Sequence, residues 1–384
     1  MATTVPRQMP RNPTTRLTRN PAAAWRHLDL VLIGAVLAIA GLGVLMVYSA
    51  TRGPTAPYNT TLFHRQAAFV GLGSVLLIAV ALVDYRLFRD WALAIYGGAC
   101  ALLLLVVSPL GSSSKGAQAW FQLGGFQLQP SEFAKLGLIF ALAGVASQFV
   151  GEIDRRRLFM LLTLAALPLV LILLQPDLGT GLVLIAITAG MLVVAGTPSR
   201  YLLAVLFIGL IGTTLVVRSD MLAQYQKDRL TSFLDQDQGL RRETYNLNQS
   251  KTAIGNGGTF GQGLFEGPQT RLGNVPEQHT DFIFTAVGEQ LGFAGAATLL
   301  ALFCIVAWRV WRAAQLARDP FGSLVCVGVL CLFMFQIFEN VGMTMGIMPV
   351  TGLPLPFVSY GGSATLAEFV GMGIVLNIHM RRFA

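Results

Sequence analysis

Seven ionisable side chains stand within or at the ends of long apolar runs: Glu132, Lys135, Asp177, Asp281, Glu289, Glu339 and Glu368. A charge is costly in lipid, so each is a candidate for chemistry or for a specific buried contact. Glu132 and Lys135 are three apart and share one helix face. That spacing suits a local ion pair, and it equally suits an acid and a base facing a cavity, with the lysine available to a phosphate. Asp177, in the string QPDLGT (175–180), has the place of a helix cap. Glu289, and Glu339 with its neighbour Asn340, read as buried hydrogen-bonded groups holding helices together. Asp281 differs because it closes a long polar segment beside His279 and Thr280 and precedes the apolar Phe282-Ile283-Phe284. Its plain role is a helix cap; its chemical role is a general base. A helix start favours the anion and so a weaker base, whereas burial beside aromatic rings opposes that.

The elements that must position these groups follow from composition. Of 384 residues, 12% are charged and 54% apolar, against ~25% charged in soluble domains. Apolar runs of spanning length occur at 28–50, 66–83, 91–110, 131–150, 158–174, 178–196, 200–217, 282–308, 323–348 and 364–380. With the N-terminus inside, sixteen Lys and Arg fall on inside segments and three, Arg52, Arg65 and Lys115, on short outside loops. That bias places both termini in the cytoplasm. The expectation is an all-α polytopic membrane protein of about ten transmembrane helices. Residues 1–27 form a disordered cytoplasmic tail, 28–217 spans one to seven, 218–281 a large, partly helical extracytoplasmic loop, and 282–384 spans eight to ten with a short cytoplasmic C-terminus.

The loop changes character along its length. A charged stretch over 224–242 reads as helical, and 255–267 then holds six glycines in thirteen residues. Such density suits a segment folding back closely on other backbone or on a ligand, with Tyr245, Phe260, Phe265 and Leu272 as apolar anchors. The string PVTGLPLPF (349–357) cannot be helical throughout and marks a break that lines a cavity or is buried in protein.

Several functions are excluded. The net charge of +8 is spread between apolar runs rather than set on one folded face, so it argues for topology and not for nucleic acid. Cys100, Cys304, Cys326 and Cys331 lie in apolar runs, and His27, His64, His279 and His379 are far apart, which leaves no disulfide framework or zinc site. Neither a dinucleotide fingerprint nor a P-loop occurs, and no organic cofactor is expected.

Six strings, QPSEFAK (129–135), QPDLGT (175–180), NQSKTAIGNGG (248–258), PEQHTDFIF (276–284), GEQLGF (288–293) and PVTGLPLPFVSYGGS (349–363), resemble in order and context the SEDS family, the shape, elongation, division and sporulation proteins of bacteria. The resemblance runs from about residue 28 to 382. It implies a peptidoglycan glycosyltransferase of the bacterial cell membrane that polymerises lipid II into β-1,4-linked strands, releases undecaprenyl pyrophosphate and works with a class B penicillin-binding protein. GMTMGIMPVTGLPLPFVSYGGS is more like the elongation type than the division type. By the same resemblance Asp281 is the catalytic aspartate, and Glu132 and Lys135 line the central cavity. Lys251, Arg271 and His279 are then loop groups for the substrate, and Asp177, Glu289 and Glu339 support the site from behind. GEQLGF departs from the family pattern at Gln290, where a second glutamate is common.

The implied chemistry is economical. An α-linked sugar pyrophosphate gives a β-linked product by one in-line attack, which needs one base and charge stabilisation of a good leaving group. A divalent cation, magnesium or manganese, would screen the pyrophosphate, yet no dense carboxylate cluster marks its site. Two other readings stay open: a flippase or transporter for the same lipid, suggested by intramembrane charge and broken backbone, and a scaffold without catalysis.

Overall fold

The computed structural model describes residues 27–53, 55–56, 58–114, 117–124, 126–218 and 242–383. The tail through Arg26, Lys115 and 219–241, with nearly all of the charged stretch read as helical over 224–242, lie outside them.

All ten expected apolar runs are helical. They correspond to α1 (Leu30–Thr51), α2 (Thr61–Leu82), α4 (Ala92–Val107), α5 (Pro130–Ala146), α6 (Arg155–Leu173), α7 (Leu178–Val194), α8 (Ser199–Arg218), α11 (Ile283–Leu316), α12 (Pro320–Thr344) and α13 (Gly362–Met380). Between them lie the short α3 (Tyr85–Asp90), α9 (Arg242–Asn256) and α10 (Pro268–Leu272). Six, α1, α2, α6, α11, α12 and α13, are long and apolar enough to cross a membrane; α4, α7 and the first part of α8 are shorter apolar helices. Polar caps start them where the sequence changes character. Asp29 accepts from the Leu32 amide at 3.0 Å, Asp154 from Arg157 at 2.8 Å, and Asp319 from Gly322 at 2.7 Å, each satisfying an amide the helix leaves unpaired.

Burial sorts the helices. In α13 and α12 89% and 67% of the apolar window is buried, against 22% in α2, so α12 and α13 form the centre with α5, whose residues are nearly all enclosed. The outer helices turn leucines and phenylalanines outward, as Leu206, Phe207 and Ile208 do on α8, which suits lipid.

Two features go beyond the helical expectation. Residues 112–128 fold into a three-stranded antiparallel sheet, β1 (Ser112–Ser114), β2 (Ala117–Leu123) and β3 (Phe126–Leu128), in that order. Secondly, α11 is broken at Gly292, which has φ 64° and ψ −163°. The break strips the carbonyls of Glu289 and Gln290 and the amides of Phe293 and Ala294 of helical partners. The glycine-dense segment supplies them. Gln262 N–H donates to Glu289 O (2.9 Å) and Gly263 N–H to Gln290 O (3.2 Å), while Phe293 and Ala294 donate to Gly258 O and Thr259 O at 2.9 Å each. These four backbone groups are thereby satisfied where lipid offers no substitute.

The expectation that this segment folds back on backbone therefore holds, but its anchoring needs correcting. Phe260 and Leu272 are exposed, and of the four expected apolar anchors Phe265 packs closely, 5.7 Å from the Tyr48 ring. Hydrogen bonds and close backbone approach do the holding. A Cβ on Gly261, whose φ is +84°, would fall 2.1 Å from Gln290 O. Gly261→Val is expected to cost roughly 1–3 kcal/mol of local stability and to speed trypsin cleavage after the exposed Arg271. Gly255→Ala, whose Cβ meets nothing within 4 Å, should leave the cleavage rate unchanged.

Candidate active site

The ends of α2, α5, α7 and α13, the sheet and the 277–281 turn enclose a cavity of about 640 Å³. Its wall carries Glu132, Asp177, Glu277 and Asp281 together with Arg65, His279, Thr180 and Tyr360. The turn is built locally: Thr280, Asp281 and Phe282 all donate their amides to Glu277 O, at 3.2, 3.1 and 3.3 Å. Glu277 takes a positive φ of 54° to allow it. Phe282 is the residue that precedes α11, so Asp281 stands one position before the cap.

What fixes the turn comes from the end of α12 and the break between α12 and α13. The Asn340 Nδ2 group donates both to Asp281 O and to Leu353 O, at 2.8 Å each. Ser359 Oγ donates to Thr280 O at 2.5 Å and accepts from the Leu355 amide at 2.8 Å. Tyr360 N–H donates to His279 O at 2.9 Å, and the Gln66 amide holds Ser359 O at 3.2 Å. The proline-rich break and Asn340 of α12 together thus form a seat on which the backbone of 279–281 is pinned at three successive carbonyls. Beneath it the Phe357 amide, at φ 62°, donates to Glu368 Oε2 at 2.7 Å.

The remaining expected residues separate by place. Glu132 Oε2 lies 2.7 Å from Lys135 Nζ, with 4% and 0% of the side chains exposed. Glu132 lines the cavity and Lys135 does not, being enclosed behind it. Asp177 caps α7, accepting from Thr180 N and Thr180 Oγ1 at 2.9 and 2.7 Å, and also faces the cavity. Glu339 accepts from Thr351 Oγ1 at 2.9 Å. Glu289, fully buried, caps α10 by accepting from Gln269 N (2.7 Å), Thr270 N (2.8 Å) and Thr270 Oγ1 (2.5 Å). Gln290 accepts from Ser49 Oγ at 2.7 Å and from the Phe265 amide at 3.0 Å, work that its amide oxygen does without charge.

Lys251 and Arg271 do not line the cavity. Lys251 lies on α9 against Gly346, where an added Cβ would meet its Cε at 2.4 Å, and Arg271 is 3.9 Å from Glu266 on the exposed side of the loop. Arg65 and Glu277 line it without having been singled out. The signal for Arg65 was an arginine next to the start of an apolar run; Glu277 sat in a polar string with nothing to separate it from its neighbours. Among the described residues no group of three or more His, Cys, Asp or Glu is placed to hold a metal ion; the four carboxylates of the wall come from α5, the start of α7 and the 277–281 turn.

The FtsW, RodA and SpoVE family, described as cell cycle proteins, matches residues 29–383. This chain belongs to the SEDS family. SEDS relatives include a probable peptidoglycan glycosyltransferase FtsW of Trichlorobacter lovleyi, 38% identical over 359 residues, which cover 91% of this chain and 92% of that one. The peptidoglycan glycosyltransferase MrdB of Escherichia coli K12 is 34% identical over 357 residues, 93% and 94% of the two chains. Among solved SEDS structures, a chain from a peptidoglycan synthase complex that coordinates polymerization and crosslinking superposes with a TM-score of 0.80 at 32% identity, covering 93% of this chain and 98% of that one. The rod shape determining protein RodA of Thermus thermophilus, at 32% identity and the same coverage, gives 0.70.

Proposed function

We propose that this SEDS protein is a peptidoglycan glycosyltransferase that polymerises lipid II into β-1,4-linked glycan with release of undecaprenyl pyrophosphate, using Asp281 as its base. One observation carries the reading: Asp281 reaches the wall of a large cavity from a turn pinned at the carbonyls of His279, Thr280 and Asp281. Such fixing suits a group that must meet a hydroxyl at a set distance. In the proposed step the acceptor's 4-hydroxyl gives its proton to Asp281 while its oxygen attacks C1 of the donor sugar, opposite the pyrophosphate. The C1–oxygen bond to phosphate breaks, the electron pair leaves with undecaprenyl pyrophosphate, and the α-linkage becomes β. Arg65 is the arginine on the cavity wall and would take the charge-stabilising role first expected of Lys135. His279 and Glu132 would contact the sugars or the diphosphate.

The string from Gly342 to Ser363 favours the elongation type, with a division-type polymerase as the alternative, since relatives of both types are about equally similar. A class B penicillin-binding protein is the proposed partner, in keeping with the synthase complex among the structural relatives. Ten spans follow from the apolar runs, and both termini in the cytoplasm with an outside loop over 218–281 from the Lys and Arg bias.

The test is polymerisation of lipid II by the purified wild-type protein, alone and with its partner. A ladder of muramidase-sensitive strands is expected. Transbilayer movement of a fluorescent lipid II with no polymer would instead make the protein a flippase.

Positioning is separable from chemistry. Asn340→Leu keeps the branching of the side chain but strips two buried carbonyls of their donor, a loss of about 1–3 kcal/mol. The turnover number kcat is expected to fall ~10²-fold, the scale of a 1 Å misplacement, with KM for lipid II little changed. A raised KM at normal kcat would assign Asn340 to substrate binding instead.

A further inference from the structure

Two rows of aromatic rings run through the bundle, and they differ in what they face. Phe333, Phe357 and Phe369 stand 5.9 and 5.1 Å apart, centre to centre, and all three are buried in the core. The second row is open. Phe126 of β3, Phe69 of α2 and Tyr360 of the proline-rich break follow one another at 5.7 and 6.4 Å, and the His279 ring continues the row at 5.9 Å. All four are half-buried, and all four line the cavity that Asp281 reaches.

This row is fixed to the backbone that carries Asp281. Gly362, at the start of α13, makes room for two of its rings: a Cβ there would stand 2.7 Å from Phe69 Cζ and 2.9 Å from Phe126 Cε2. The next residue holds the strand down. Ser363 Oγ donates to Gln127 O at 2.9 Å and accepts from the Gln129 amide at 3.0 Å, which ties β3 and its Phe126 to α13. At the other end the Tyr360 amide donates to His279 O at 2.9 Å, two residues before Asp281 in the pinned turn. Four segments thus build one aromatic wall whose last member adjoins the proposed base.

Rings left facing a cavity forgo part of the stabilisation that full burial supplies, and a ligand that covers them recovers it. Their chemistry also selects the ligand. Ring faces carry negative charge and attract positively polarised hydrogens. A pyranose with equatorial hydroxyls offers such hydrogens, because its axial C–H bonds gather on its faces while its hydroxyls point outward in the plane. The rest of the wall suits those hydroxyls, since the carboxylates of Glu132, Asp177 and Glu277 accept hydrogen bonds.

We propose that Phe69, Phe126 and Tyr360 form a stacking platform for the terminal pyranose of lipid II, the sugar whose 4-hydroxyl is the nucleophile, and hold that hydroxyl toward Asp281. The proposal rests on the polymerase reading and adds to it the residues that recognise the sugar, as distinct from the lipid or the diphosphate. The row ends at His279, beside the residue that takes the hydroxyl's proton, which is where the terminal sugar must lie for that transfer.

The full chain, carrying Asp281→Asn to prevent turnover, is titrated in detergent with lipid II and with the same molecule lacking its terminal sugar, and binding is followed by native mass spectrometry. Lipid II is expected to bind roughly tenfold more tightly than the truncated form. Phe126→Leu and Tyr360→Leu should each abolish most of that preference while leaving affinity for the truncated form unchanged; Tyr360→Phe, which keeps the ring, should preserve it. If Phe126→Leu does not fold, Tyr360→Leu decides by the same titration. An undiminished preference in the leucine variants, an equal loss for both lipids, or a preference lost with the Tyr360 hydroxyl alone would each overturn the platform. Polymerisation by the wild-type protein, measured in parallel, separates the two levels. Polymer together with any of those results removes the platform and leaves the polymerase reading standing, whereas no polymer from the wild type removes both.

Discussion

Asp281→Asn is expected to lower lipid II polymerisation by about 10²–10⁴-fold, the contribution of a positioned general base, without unfolding the protein. The Asp281 amide donates to Glu277 O and its carbonyl accepts from Asn340, at 3.1 and 2.8 Å. Both are peptide groups and survive the substitution. Asparagine has nearly the same size and shape, so the turn keeps its seat on the 353–360 break. What disappears is the ability to take a proton. The unfolding temperature should stay close to wild type and lipid II should still bind, so the loss falls on kcat. Asp281→Glu keeps the carboxylate but moves it by one methylene and should retain part of the activity. Wild-type polymer from Asp281→Asn would remove Asp281 from the chemistry and leave the cavity to another base.

The same logic ties Asp281 to Asn340. If Asn340 acts by aiming the Asp281 carboxylate, its substitution has little left to spoil once that carboxylate is gone. Adding Asn340→Leu to Asp281→Asn should therefore cost far less than it does in the wild-type background, a non-additivity that independent sites do not show. Two fully additive losses would mean that Asn340 serves the fold or the substrate by another route.

The parts of this arrangement that were legible in the sequence are those where cost is local. A run of about twenty apolar residues has few uses other than a span, so ten helices could be read with soft ends. A carboxylate at the edge of such a run announces itself, which is why Glu132, Asp177 and Asp281 were found before their cavity was known. Partnership between distant segments left no such mark. Lys251 and Arg271 were plausible loop cations, but nothing in their neighbours says that α9 lies against Gly346 or that Arg271 turns toward Glu266. Lys135 shared a face with Glu132, yet one side chain reaches the cavity and the other is closed off behind it. The sheet was missed because two of its strands have three residues each and the third has seven, too brief for a period of two to show. Gly292 was hidden for the opposite reason. A glycine inside a long apolar run looks tolerated, and only the amides and carbonyls of 258–263 paired across it reveal a broken helix.

The ion pair on α5 gives the largest expected effect on stability, and an asymmetric one. Lys135→Met leaves the Glu132 carboxylate buried without its cation. Breaking a buried pair in this way costs about 3–5 kcal/mol, so the variant should unfold at a clearly lower temperature and purify poorly. Glu132→Gln is milder, because the carboxamide oxygen can still accept a hydrogen bond from Lys135 Nζ. The double variant Glu132→Gln with Lys135→Met removes one charge of each sign and should recover most of the lost stability, as replacement of a whole buried pair does. Its activity then separates the two roles open to the pair. Glu132 is part of the cavity wall and Lys135 is not, so a stable double variant that polymerises lipid II poorly would make Glu132 a substrate contact. A stable and fully active one would reduce the pair to a means of bringing two charges into the membrane interior. We expect the first outcome, because a carboxylate lining the cavity that holds Asp281 can accept hydrogen bonds from the sugars or the stem peptide that a carboxamide of the same shape makes less strongly.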